Sequence, residues 1–215
     1  YVGGILLEKA QTDRARKIIL AACLIIDLGM LGFFKYFNFV ADNIEALAGI
    51  LHWNYGSTTL EILLPLGISF HIFQSLSYVI EVYRGKQKAE KHFGFFFLYI
   101  IFYPQLVAGP IERAQNLLPQ LRACRPFSYA AASSGIQLML WGLFKKVVIA
   151  DRVALFVNQV YSLDNPADFT GAKLLIASIF FAFQIYCDFS GYSDIARGAA
   201  RVMGIRIMEN FRYPY

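Results

Sequence analysis

Residues 62–80, ILLPLGISFHIFQSLSYVI, carry no formal charge when His71 is counted as neutral, and Phe93 to Ile111, FGFFFLYIIFYPQLVAGPI, repeats the pattern. Phe127 to Phe144 is a third uncharged run. Ile18 to Phe34 is broken only by Asp27, and Leu174 to Cys187 is apolar but shorter. About 20 apolar residues cross the hydrocarbon core of a bilayer as a helix. The whole chain agrees: 57% of its 215 residues are hydrophobic and 16% are charged, with a mean hydropathy of +0.47. A water-soluble domain carries about a quarter of its residues as charges. So few charges leave a globule too little polar surface to face water. The expected fold is all-α, a multi-pass transmembrane helical bundle forming one membrane domain over residues 1–215.

Charge placement sets the expected topology, because short loops rich in Lys and Arg stay in the cytoplasm. Arg14, Arg16 and Lys17 precede the first run and put that end inside. Asp42 to Thr59 has acidic residues and no Lys or Arg, as an external loop should, and His52 with Trp53 fits an external interface. Ile62 to Val82 returns to Arg84, Lys86, Lys88 and Lys91. Phe93 to Ile111 is then basic on both flanks, and Pro104, Gly109 and Pro110 break any straight helix. A re-entrant pair of half-helices accommodates both features, with a kinked full span as the alternative. Tyr129 to Val153 is read as a helix crossing outward, with Lys145 and Lys146 unusual for a lipid-facing position. Ser162 to Thr170 is acidic without a basic residue, Lys173 to Cys187 returns, and Arg197, Arg201, Arg206 and Arg212 mark a cytoplasmic end. The sum is four spans plus one re-entrant pair.

Ionisable groups inside a bilayer are costly, which makes each one a site candidate to weigh against a structural role. Asp27 is read as pairing within the bundle, and His71, which shares a helix face with Gln74 and Ser75, as a hydrogen-bonded packing histidine. His92 lies in a basic loop and needs no role. Cys23, Cys124 and Cys187 show no metal-type spacing and read as small buried hydrophobes. The densest polar cluster is Gln184, Tyr186, Asp188, Ser190, Tyr192, Ser193 and Asp194, interrupted by Gly191. Gln184, Asp188 and Tyr192 share a face if the helix continues, and carboxylates beside tyrosines and serines can position a hydroxyl or a proton. Alternatively, Asp194 pairs with Arg197 or Arg201 and Asp188 caps a half-helix. No GxSxG, CxxC or P-loop is present, so the residues alone define a polar intramembrane site and no reaction.

Three stretches resemble the membrane-bound O-acyltransferase (MBOAT) family, in its alginate O-acetylation branch. They are Leu64 to Gly85, LPLGISFHIFQSLSYVIEVYRG; Phe102 to Leu121, FYPQLVAGPIERAQNLLPQL; and Gln184 to Tyr215, QIYCDFSGYSDIARGAARVMGIRIMENFRYPY. The resemblance implies a transferase that delivers an acyl group, here acetyl, through a membrane tunnel towards an exported polysaccharide such as alginate. It implies a cytoplasmic donor, acetyl-CoA or another activated acyl carrier, with no bound cofactor and no metal. The implied partners are the bacterial inner membrane, periplasmic acetyltransferase-like proteins and the polysaccharide acceptor; no nucleic acid is expected. Gln105, Gln184, Asp188, Ser190, Tyr192 and Asp194 are the tunnel or pocket candidates. The family's catalytic histidines, the first in a Trp-His motif, match none of His52, His71 and His92. They are expected beyond Tyr215, which makes the chain an internal fragment expected to be inactive alone. Within the family, D-alanyl transfer and peptidoglycan O-acetylation are alternatives; outside it, a transporter or a helical scaffold.

Overall fold

The structure is a computed structural model and describes residues 1–51, 67–106, 109–161 and 170–211. All the regular elements among them are helical. They fall into two compact units, Tyr1–Ile101 with Arg113–Gln115, and Phe102–Glu112 with Asn116–Tyr215. His52, Trp53, residues 52–59 of the proposed first external loop, Ile62–Leu66, Asp164, Asp168 and Arg212 lie outside the described residues.

In the first unit, α1 (Val2–Lys9) precedes α2 (Asp13–Ile50), whose start is fixed by Thr12 accepting a hydrogen bond from the Ala15 amide at 3.3 Å. The 38 residues of α2 make a rod of roughly 57 Å at 1.5 Å per residue. The hydrocarbon core is about 30 Å thick, so α2 outruns it. This corrects the reading of Asp42 onward as loop. Ala41, Glu45, Ala46, Leu47 and Ala48 are good helix formers with no proline among them, and the helix continues to Ile50. Its surface is apolar and open: Ile25 is 72% exposed and Phe39 66%.

Helix α3 (Ile68–Tyr83) opens on Gly67 in the left-handed region (φ 74°) and closes at Gly85 (φ 71°). There the Lys86 amide reaches the Glu81 carbonyl at 3.0 Å and the Gly85 amide reaches that of Val82 at 3.0 Å, a terminus that favours glycine. Helix α4 (Phe93–Ile100) is capped by His92, whose Nδ1 accepts from the Phe95 amide at 3.4 Å. The core of this unit is aromatic but polar at its edges. Tyr78 is fully buried, stacks edge-on to Phe96 at 4.9 Å, and its hydroxyl accepts from the Glu90 amide at 2.8 Å. Gln74, also fully buried, donates to the Tyr99 carbonyl at 2.7 Å.

The run from 93 to 111 does break where its prolines fall. After α4 come a 3-10 turn (Tyr103–Gln105), residues 109–113 in no regular element, and α5 (Ala114–Arg122). In the second unit α6 (Tyr129–Leu143), a π-helical turn (Phe144–Ala150) and α7 (Asp151–Tyr161) form one continuous helical run. Ser128 caps it, accepting from the Ala131 amide at 3.4 Å. Helix α8 (Gly171–Val202) follows, 32 residues long and uninterrupted at Gly191. Asp188 is therefore inside a helix and caps nothing, a correction that follows from α6 packing against Gly191 and holding that turn in place. Of the described helices, α2 and α8 are long and apolar enough to cross a membrane. The cysteines divide: Cys187 is buried and Cys23 half-buried, but Cys124 is exposed, because it falls in the polar segment after α5 and not in an apolar run.

Candidate functional site

The polar cluster of the sequence sits where α6 and its π turn cross α8. Four glycines let the two backbones touch. A methyl group placed on Gly142 would lie 2.5 Å from the Gly191 carbonyl oxygen, and one on Gly198 would lie 2.5 Å from that of Gly135. Gly135 and Gly142 are seven apart, as are Gly191 and Gly198, so two helical turns of each antiparallel helix meet glycine to glycine. Small residues of this kind set the distance between membrane helices.

Just past Gly142 the helix widens into the π turn, which carries Lys145 and Lys146. Adjacent residues of a helix point in different directions, and the two ammonium groups reach different carboxylates on α8. Lys145 Nζ lies 2.5 Å from Asp194 Oδ2, with both side chains nearly enclosed at 12% and 13% exposure. The other oxygen of Asp194 accepts from Arg197 Nη1 at 3.1 Å, and Arg197 also meets Glu209 Oε1 at 3.1 Å. Lys146 Nζ lies 2.7 Å from Asp188 Oδ1 and 2.7 Å from Asp151 Oδ1, and sits 5.7 Å from the centre of the Tyr192 ring. The first cluster balances two cations against two carboxylates. The second sets one cation against two carboxylates. Single-turn π insertions are rare and concentrate at functional sites; here the insertion aims two adjacent lysines.

The candidate residues are distributed along this crossing. Asp188 and Tyr192 meet around Lys146, and Asp194 holds Lys145 and Arg197. Ser190 and Ser193 are buried on the same helix, with hydroxyls that have no partner among the described residues; Gln184 Oε1 is in the same position. Gln105 is fully buried in its 3-10 turn, next to Gly109, where an added methyl would sit 2.8 Å from the Gln105 Cβ and 3.2 Å from that of Ala196 on α8. Orphaned polar atoms inside a protein are uncommon. Their grouping along α8 makes this helix face a polar lining able to orient a small polar group by hydrogen bonds.

Sequence reading noted Lys145 and Lys146 only as anomalies and gave them no partner. It also passed over Asp151, Glu209 and Glu112, the last of which is buried and accepts from the Met208 amide at 2.5 Å. A pair of lysines directly after an uncharged run was the available signal. Of the other intramembrane candidates, Asp27 meets Ser75 through a side-chain hydrogen bond. His71 packs edge-on to Phe70 at 6.0 Å, and its buried Nδ1 has no partner among the described residues.

No family model matches the chain. Direct relatives do. A probable alginate O-acetylase AlgI of Pseudomonas putida is 39% identical over 190 residues, covering 88% of this chain and 38% of the relative. Its counterpart in Pseudomonas syringae is 39% identical over 205 residues, 95% of this chain and 38% of the relative. The peptidoglycan O-acetyltransferase of Helicobacter pylori is 30% identical over 241 residues, 100% of this chain and 44% of the relative. More distant teichoic acid D-alanyltransferases match as well. The chain belongs to the membrane-bound O-acyltransferase family. It spans less than half the length of these relatives. The MBOAT motif blocks lie on α3 and its glycine exit, on the 3-10 turn with α5, and on α8 from Gln184 onward. The third block thus carries the carboxylates that hold the lysines of the π turn.

Proposed function

We propose that this chain is the tunnel-building portion of a membrane O-acyltransferase that moves acetyl groups across the bacterial inner membrane for O-acetylation of an exported polysaccharide such as alginate. The observation that carries the reading is the 39% identity to probable alginate O-acetylases over 88% and more of the chain. The ion-paired crossing of α6 and α8 supports it: a transfer path through a bilayer needs fixed polar groups screened from lipid. In this reading the donor is acetyl-CoA or another activated acyl carrier, and periplasmic acetyltransferase-like proteins receive the acetyl group. The chain makes four spans and one re-entrant pair, with its N-terminal end cytoplasmic. We assign the catalytic role to no residue of this chain.

The test is the O-acetyl content of the exported polymer, measured by NMR in cells lacking the gene and in cells given it back. Loss of acetyl esters with polymer yield unchanged is the expected result. Loss of polymer export itself would instead mean a transporter, and an unchanged acetyl content with less D-alanyl ester in the wall would mean D-alanyl transfer. Because the peptidoglycan O-acetyltransferase of Helicobacter pylori also matches this chain, muropeptide acetylation is measured on the same cells.

A further inference from the structure

One face of α3 borders a cavity of about 360 Å³ in the first unit, and the lining changes character along the helix. Phe73, Leu76 and Ile80 recur at spacings of three and four, which puts them on one face and makes that end apolar. Arg84, Lys86 and Arg113 make the other end cationic, with Glu81 between the two along the helix. From Phe73 to Arg84 the helix rises roughly 16 Å at about 1.5 Å per residue. Two local devices build the cationic end. Gly85 stands in the left-handed region (φ 71°), and its turn brings the Lys86 amide to the Glu81 carbonyl at 3.0 Å. The chain doubles back there, so Lys86 stays beside the last turn of α3. Arg113 Nε lies 3.9 Å from Glu81 Oε1, within the same unit.

The charges around this cavity leave a positive excess. Glu81 is buried, and among the described residues lining the cavity it is the one carboxylate. Arg84 and Lys86 have no carboxylate in ion-pairing range among the described residues. Three cations thus face one anion. Glu81 Oε2 is itself without a hydrogen-bond partner among the described residues, and a buried acceptor of this kind calls for a donor. A soluble anion would use the cationic end and leave exposed Phe73 and the apolar end in place without an occupant. A phospholipid matches both ends at once, with its phosphate among the cations and an acyl chain along the apolar face. Its headgroup decides between lipid classes. Ethanolamine and choline bring a further cation towards three others, whereas glycerol keeps the lipid anionic and carries the hydroxyl that Glu81 lacks.

We propose that this face of α3 is a binding site for phosphatidylglycerol. Arg84, Lys86 and Arg113 hold the phosphate, a headgroup hydroxyl donates to Glu81, and an acyl chain lies along Phe73, Leu76 and Ile80. The site rests on the reading of α3 as a span and needs no acyl transfer.

The experiment is photo-crosslinking of the full-length protein in nanodiscs made of equal parts phosphatidylglycerol and phosphatidylcholine. In parallel samples one lipid or the other carries a diazirine in its acyl chain, and adducts are mapped by peptide mass spectrometry. On residues 73–80, phosphatidylglycerol adducts should exceed phosphatidylcholine adducts at least about tenfold, since each of several basic residues favours an anionic headgroup about fivefold. Arg84→Gln and Lys86→Gln should each lower that excess about fivefold. Arg113 is left unaltered, because its loss would strand Glu81. Lys88→Gln, exposed and outside the cavity, should keep the full excess and so controls for net charge. Unlabelled phosphatidylmethanol, with the phosphate charge but no hydroxyl, should compete less well than unlabelled phosphatidylglycerol. Equal labelling of residues 73–80 by the two lipids overturns the site and leaves α3 a span. No labelling there by either lipid removes the span and the site with it. An undiminished excess in both Arg84→Gln and Lys86→Gln overturns the site too, as does equal competition by phosphatidylmethanol. Thermal unfolding of each variant separates a lost site from a lost fold.

Discussion

Lys145 and Asp194 hold each other at 2.5 Å in nearly complete enclosure, so neither tolerates losing the other. Asp194→Asn leaves an ammonium and a guanidinium around a neutral amide, and breaking such a buried pair costs about 3–5 kcal/mol. A clear drop in thermal unfolding temperature in detergent is expected. Replacing both partners, Lys145→Met with Asp194→Leu, removes the stranded charge and should restore most of that stability. If the folded double variant does not support the proposed acetylation, the pair acts in function as well as in folding. Asp151 is a contrast: its side chain is 48% exposed where it meets Lys146. Solvent screens such a contact to about 0–1 kcal/mol, so Asp151→Asn should unfold within a degree or two of the unaltered protein. Asp188 was legible as a candidate from its place beside Tyr192. Its partner was not, because 42 positions separate it from Lys146 and no local pattern links them.

Helix packing decides more than helix propensity at the level of elements. Gly142→Ala places a methyl group 2.5 Å from the Gly191 carbonyl oxygen, and overfilling of this kind costs about 1–3 kcal/mol. Reduced membrane yield and a lower unfolding temperature should follow, although alanine is the better helix former. At Gly29 on α2 an added methyl meets nothing within 4 Å. Gly29→Ala should therefore be neutral or stabilising, by up to about 1 kcal/mol from backbone entropy. Both glycines lie in apolar runs of the sequence. Only the pairing of α6 with α8 separates them. The ends of α2 and α8 are hidden in the sequence for a related reason: acidic residues such as Asp42 and Asp188 resemble the end of a span, yet nothing in those stretches stops a helix.

Cys124 supplies a topology test for the whole molecule. It is exposed, whereas Cys187 is buried, and in the proposed topology its segment, flanked by Arg122 and Arg125, is cytoplasmic. A membrane-impermeant maleimide should leave Cys124 unmodified in intact cells and label it after permeabilisation; labelling in intact cells would invert the proposed orientation. The exposed apolar surface of α2, including Ile25, Phe39 and Ile50 at 75%, should keep the protein in the membrane through a carbonate wash and release it only in detergent.

Composition and the uncharged runs determined by themselves that this protein is helical and lives in a membrane, because burying its apolar residues in water would require more polar cover than the chain possesses. The three motif blocks determined its family. The tertiary structure alone decided which polar residues act together. It set α6 against α8 on four glycines and turned two adjacent lysines of a π turn towards two carboxylates of α8. Those outcomes depend on contacts between residues far apart in the chain, where the free energy of a buried charge is set by its neighbours in space and not in sequence.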